Sequence, residues 1–209
     1  MVATVHKFDM SEFESTSLGE TDDKKLVERA KEGDSSAFEE LVRLKSSRVL
    51  AHCRRMIADR EDARDIAQLV FIRLWEKLDT YDPAWQFDTW LYRVVSNVTI
   101  DFVRSRQTRD NAVNSPLRLV RDVSHASQAV AMQHDEVDAI FEDCSQALTP
   151  LQKQVFVMRE IEQMTSPEVA KVLGCRESTV RNHLFNARRT LQRELAEKYP
   201  EYLRKDGAS

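Results

Sequence analysis

Glycine and proline are scarce in this chain, four and five among 209 residues. So few turn-formers cannot punctuate the many short strands of a sandwich or barrel; they suit long helices joined by short turns. Cysteine is scarce too. Cys53, Cys144 and Cys175 lie far apart and form no CxxC pair, which excludes a disulfide framework and fits a reducing, cytoplasmic setting. No apolar run is long enough to span a bilayer, and Met1–Phe8 has neither an apolar core nor a small-residue cleavage site, so neither membrane insertion nor a leader is read. There is no glycine-rich phosphate loop and no carboxylate pair beside a nucleophile. His125, His134 and Asp135 lack ligand spacing. No enzyme, cofactor or metal is therefore expected.

Positive charge is short only in the sum. The formal net charge is −4, yet the sign varies along the chain. The first stretch sets Asp9, Glu12, Glu14, Glu20, Asp22 and Asp23 against Lys7, whereas Arg93–Arg109 and Arg176–Arg193 are basic. A phosphate backbone responds to local charge within a Debye length, so the basic segments are the ones that count.

What is present is helical periodicity. Residues 1–21 read as a mobile acidic tail. A helix over Asp22–Glu32 is stopped by Gly33, with Asp34 and Ser35 as caps and Ser36/Glu39 at capping-box spacing. The next buries Phe38, Leu41, Val42, Val49, Cys53, Met56 and Ile57. A third starts at Asp59–Asp62 with the stripe Ala63, Ile66, Ala67, Val70, Phe71, Leu74 and Leu78, and Asp82-Pro83 ends it. A fourth, Phe87–Arg106, buries Leu91, Val94, Val95, Val98 and Phe102. Residues 108–135 lose the pattern and read as a linker. Periodicity returns at Val137, Ile140, Phe141, Cys144 and Leu148. Thr149-Pro150 with Gln152 is a capping box with proline at the first helical position, and Ser166-Pro167 repeats the device. A last helix runs Glu177–Tyr199. The expected fold is all-α: helical domains over 22–107 and 136–199, a flexible linker between, and a tail over 200–209.

Two segments carry chemistry. Pro167–Leu184, PEVAKVLGCRESTVRNHL, has helix-turn-helix grammar: small Ala170 for close approach, Gly174 for the turn, and Val169, Leu173, Val180 and Leu184 to hold the pair. Ser178, Arg181, Asn182, Asn186 and Arg189 point away from the apolar side, as donors and acceptors for base edges and phosphates. On the fourth helix Arg93, Asn97 and Arg104 share an arc opposite Leu91/Val95/Phe102, with Trp90 at its edge. Tyr81, Trp85 and Phe87 crowd the preceding loop. Basic residues interleaved with aromatics suit single-stranded DNA. Trp85 reads equally as core and as a stacking ring, while Leu91 and Phe102 read as core.

The segment DREDARDIAQLVFIRLWEKLDTYDPAWQFDTWLYRVVSNVTIDFVRSR resembles region two of the sigma-seventy superfamily, extracytoplasmic-function branch. LTPLQKQVFVMREIEQMTSPEVAKVLGCRESTVRNHLFNARRTLQREL resembles region four. The two stand in the family's order, and together the likeness spans about residues 22–198. It implies a non-catalytic RNA polymerase subunit that selects and melts promoters. Asp62, Asp65, Gln68 and Phe71 would dock on the coiled coil of the polymerase largest subunit. Tyr81 and Asn97 would hold flipped bases of the minus-ten element, and Trp90 would stand at the upstream edge of the melted bubble, beside Arg93 and Arg104. Arg176 to Arg189, including Ser178, Thr179, Arg181, Asn182 and Asn186, would read the minus-thirty-five element. The implied partners are core RNA polymerase (coiled coil and flap), promoter DNA and an anti-sigma factor, with the chain a monomer outside the holoenzyme. Ser178-Thr179-Val180 and Arg181-Asn182-His183 depart from the Gly-Thr-Val and Lys/Arg-Ser-Arg found often in the family, which leaves the preferred promoter open. The competing reading is an autonomous helix-turn-helix regulator, which would dimerise and bind duplex alone.

Overall fold

The computed structural model describes residues 18–112 and 132–203. Most of the acidic tail, residues 113–131 of the expected linker and residues 204–209 lie outside them. Among the described residues every regular element is helical. Helix α1 spans Leu18–Lys31, α2 Ser35–Met56, α3 Arg60–Glu76 and α4 Phe87–Ala112, with a 3-10 turn Leu78–Thr80 between the last two. Helices α5 (Met132–Ser145), α6 (Pro150–Phe156), α7 (Ser166–Leu173) and α8 (Glu177–Lys198) follow. A π-helical turn, Val157–Ile161, extends α6, and a 3-10 turn, Pro200–Leu203, ends the chain's described part.

The boundaries follow local chemistry. Gly33 takes φ +94°, so the chain turns there at no Cβ cost. Asp34 then caps α2, its side chain accepting from the amides of Ser36 and Ala37. That role and the Arg29 ion pair hold its carboxyl down at about 2: the Ser36 hydrogen bond is the largest cause, Arg29 the next. Asp59 caps α3 in the same way. Thr149 and Gln152 form the capping box expected for α6. For α7 the cap is Thr165, one residue before the expected Ser166: Thr165 and Glu168 have the reciprocal spacing, so Ser166 and Pro167 fall inside the first turn. Helix α3 stops at Glu76, short of Asp82-Pro83, because the chain tightens into the 3-10 turn that buries Leu78. Helix α4 runs to Ala112, six residues past the expected Arg106.

Two helical domains result. In the first, α1–α4 close over Leu41, Val49, Cys53, Ala63, Val70, Leu74 and Val95. Each large aliphatic side chain buried here contributes roughly 1.5–3 kcal/mol. In the second, α6, α7 and α8 close over Val155, Met158, Val169, Val172, Val180 and Leu184. Phe71 belongs to the first core and Val180 to the second, so the cores stay distinct.

They nonetheless touch. Helix α4 packs on α7 and α6, and α2 meets α6. Tyr92 of α4 lies in the second core, and Val157 of the π-helical turn in the first. Of the apolar stripe expected on α4, Leu91, Val94 and Val95 are buried and Val98 and Phe102 partly so, and Tyr92, Ser96 and Thr99 are buried beside them.

Candidate nucleic-acid interface

Helix α4 presents Arg93, Asn97 and Arg104 to solvent along one line, as its 3.6-residue period requires. Arg93 reaches back over the Trp85 ring, its guanidinium 5.6 Å from the centroid. On the same ring stands Lys171 of α7, 4.1 Å from the centroid. Trp85 is half-buried between two cations, one from each domain. The core reading holds in part, since Trp85 packs half-buried against the first core, and the ring face it leaves is taken up by cations.

Tyr81 and Trp90 are placed differently from an exposed stacking platform. Tyr81 is 4% exposed and Trp90 8%. Their rings lie 5.2 Å apart and share Phe87 as a third neighbour. The Tyr81 hydroxyl donates to the Trp85 carbonyl at 2.8 Å, and Lys31 Nζ donates to the Tyr81 carbonyl at 2.9 Å. In this arrangement the two rings form the floor that fixes the loop carrying Trp85. The sequence could not reveal this, because a buried and an exposed aromatic look alike in a loop.

The start of α4 is anchored electrostatically. Asp88 pairs with Lys45 at 2.9 Å and Arg48 at 2.6 Å, both from α2. Burial works to raise its carboxyl, but Arg48 and Lys45 outweigh that and hold it below the usual range. This tie sets the angle at which the Arg93/Asn97 face leaves the bundle.

On α3, Asp65 and Gln68 are exposed and Phe71 is half-buried against the first core. Asp62 is half-exposed and pairs with Arg106 of α4, a partner the helical wheel could not show. Ile72 and Trp75, 55% and 45% exposed, extend this face with an apolar margin, and Trp75 meets Phe38 of α2 edge-on.

In the second domain Gly174 takes φ +62° and turns the chain from α7 into α8. Helix α8 then buries Val180, Leu184 and Ala187 and leaves Ser178, Arg181, Asn182, Asn186 and Arg189 exposed, with Thr179 half-buried. Arg176 occupies the N-cap without a side-chain cap bond. Arg181 sits 3.5 Å from Glu177 one turn earlier. A shallow depression lined by Lys171, Arg176, Ser178 and Arg181 runs along the turn. Phe185 is 64% exposed amid this polar face; an apolar side chain lies outside the donor and acceptor pattern by which a sequence marks a base-reading face. Lys171 was missed for a different reason: its neighbour belongs to the other domain. Burial raises the Cys175 thiol, away from the thiolate form a redox sensor requires.

Residues 34–109 match the family Sigma-70 region 2, and residues 138–191 match Sigma-70, region 4. The RNA polymerase sigma-H factor of Pseudomonas aeruginosa is 30% identical over 185 residues, covering 85% of this chain and 96% of the relative. The chain belongs to the sigma-70 family, in its extracytoplasmic-function branch. The ECF RNA polymerase sigma factor SigW of Bacillus subtilis is 28% identical over 180 residues, 82% of this chain and 96% of that one. Among solved structures, CnrH in complex with the cytosolic domain of CnrY superposes with a TM-score of 0.64 at 24% identity, over 85% of this sigma factor and 99% of CnrH. The sigma factor RpoE in complex with the anti-sigma factor NepR from Bartonella quintana gives 0.58 at 17%, over 77% and 98%. These two likenesses concern the fold. As a sigma factor the chain directs RNA polymerase to promoters and is an initiation factor, not a catalyst. No helix among the described residues is long and apolar enough to cross a membrane.

Proposed function

We propose that the two domains divide promoter recognition between them. The observation that carries this is the pair of basic, solvent-facing helix surfaces, Arg93/Asn97/Arg104 on α4 and Arg181/Asn182/Asn186/Arg189 on α8, each backed by its own core. The α8 surface suits a major groove, where a bidentate side chain–base pair discriminates by about 1–3 kcal/mol. The α4 surface suits an opened strand. Asn97 offers a donor and an acceptor to one edge of an extruded base, Arg93 and Arg104 hold the backbone, and Trp85 provides a ring. Tyr81 and Trp90 hold that loop from beneath and reach bases only if the aromatic floor opens.

Asp65, Gln68 and the Ile72/Phe71 margin of α3 form the docking face for the core polymerase, with Asp62 contributing once released from Arg106. The helices put the working limits of the domains at 18–112 and 132–203, wider at each end than the expected 22–107 and 136–199, and the protein works as a monomer until it joins the core enzyme. An anti-sigma factor is the proposed antagonist, since both structural neighbours named above were solved bound to a protein partner.

Permanganate footprinting of unpaired thymines tests the strand-holding role. Holoenzyme with Asn97→Ala should assemble and locate promoters but open duplex templates poorly, and a pre-opened template should restore part of the loss. Duplex opening equal to the parent, or a failure at core binding, would contradict the assignment.

A further inference from the structure

The side chain of Phe185 belongs to neither core. It is 64% exposed, more than any other large apolar side chain among the described residues. Single exposed apolar residues are ordinary on a protein surface; the place where this one stands is not. Helix α8 buries Val180, Leu184 and Ala187, and Phe185 faces away from that side with Arg181, Asn182, Asn186 and Arg189, all exposed.

The helical period fixes its neighbours. Arg181 lies one turn before Phe185 and Arg189 one turn after, so the three share a strip. Asn182 adjoins it at three-residue spacing. Long side chains on a helix lean toward its N-terminus, which lays the ring over the turn that carries Arg181 and Asn182. The other exposed side chains of this face, Ser178, Arg181, Asn182, Asn186 and Arg189, are all donors or acceptors, and these answer the polar edges of bases. The major groove carries one apolar feature, the C5-methyl group of thymine, and phenylalanine is among the side chains that meet it. 5-Methylcytosine presents the same methyl from the same ring carbon, beside the N4 donor of cytosine.

We infer that Phe185 is a sensor of a C5-methyl group in the major groove, so that promoter choice by this sigma factor depends on thymine, or on a methylated cytosine, at one base of the upstream element. The inference rests on the duplex-reading role proposed for α8 and adds a contact that no hydrogen bond can make. Arg181 and Arg189 hold the duplex against the ring from either end of the strip. The consequence is a response to covalent DNA modification: methylation of a cytosine at that base raises promoter use, although neither its pairing nor its polar groups change. Burying one methyl-sized group corresponds to about a fourfold change in affinity.

The test uses holoenzyme reconstituted from the full chain and core RNA polymerase. Synthetic upstream duplexes of random sequence are ligated to a common downstream half, so that modified bases lie only in the upstream element. They are made with thymine or deoxyuridine, and with cytosine or 5-methylcytosine. Sequencing of the bound fragments locates the sensitive base, and affinities are measured with single substitutions there. The parent should prefer thymine to deoxyuridine, and 5-methylcytosine to cytosine, about fourfold each. Phe185→Ala should bring both ratios near one with an unchanged circular dichroism spectrum, and Phe185→Leu should keep part of each. Arg181→Ala should weaken binding to all four forms and keep the ratios. Ratios near one in the parent, with upstream preference intact, would overturn the sensor and leave the α8 reading standing. Ratios retained in Phe185→Ala would give the methyl contact to another side chain and overturn it as well. A ratio in the thymine arm alone would overturn the response to methylated cytosine. Loss of core binding in Phe185→Ala would place the ring on the polymerase, against the inference. A parent with no upstream preference at all would overturn the α8 reading itself.

Discussion

Arg181 and Asn182 stand exposed at the start of α8, and neither contributes to the core. Alanine at either position should leave the fold intact and weaken upstream-element recognition by about 1–3 kcal/mol if the side chain reaches a base. Transcription across a set of upstream-element variants measures it; the parent's sequence preference retained in both variants would remove them from the reading set. Lys153 shows the opposite relation between charge and fold. Its ammonium lies 5.8 Å from the Phe141 ring centroid. Burial lowers its pKa to about 8, with Glu142 opposing. An unfolded lysine titrates near ~10.4, so the folded state gives up its proton first. Stability therefore rises as pH climbs from about 8 toward that unfolded value. Lys153→Met should remove this rise and melt higher than the parent near neutrality. Thermal midpoints of both proteins across that window decide it, and parallel profiles would contradict the account.

Among the helices, the recognition pair depends on a cap that sequence reading placed one residue late. Thr165 and Glu168 bond reciprocally at the start of α7. Thr165→Ala should cost about 1 kcal/mol, a drop in midpoint of roughly 2–4 °C for a chain of this size, whereas Ser166→Ala should be nearly silent. Equal effects at the two positions would place the cap wrongly. Helix α3 needs a similar refinement. Asp62 is tied to Arg106 of α4, so reversing its charge disturbs a helix–helix contact as well as any docking face. Asp65→Lys is the cleaner probe. It should give a folded protein that binds core polymerase weakly, and normal binding would remove Asp65 from that face. The elements themselves were legible because caps, stripes and the Gly33 and Gly174 turns act within a few residues of one another. What one helix does to another was not. The burial of Tyr81 and Trp90, the Asp62–Arg106 pair and the closure of α7 over Trp85 all join residues from separate elements, and periodicity along one helix carries no information about its neighbour.

For the whole molecule, the division into two helical domains was legible because periodicity lapses between two stretches that each support a core. The contact between those domains was not, since Tyr92, Ser96 and Thr99 read as an ordinary polar flank until α6 and α7 are set against them. The net charge of −4 likewise describes neither binding surface, because both basic faces are local. A sigma factor differs from an autonomous helix-turn-helix regulator in what it can do alone. Its reading surfaces act on a promoter when the polymerase holds them in register, and by itself it should bind duplex weakly as a monomer. The most direct measurement adds the purified chain to core RNA polymerase and a pool of promoter fragments and sequences the transcripts. The account predicts new transcripts that share a start-site spacing and require both chain and core enzyme, lost with Asp65→Lys and redirected by Arg181→Ala. Tight, dimeric duplex binding by the chain alone, with no transcripts added to those of the core enzyme, would contradict it.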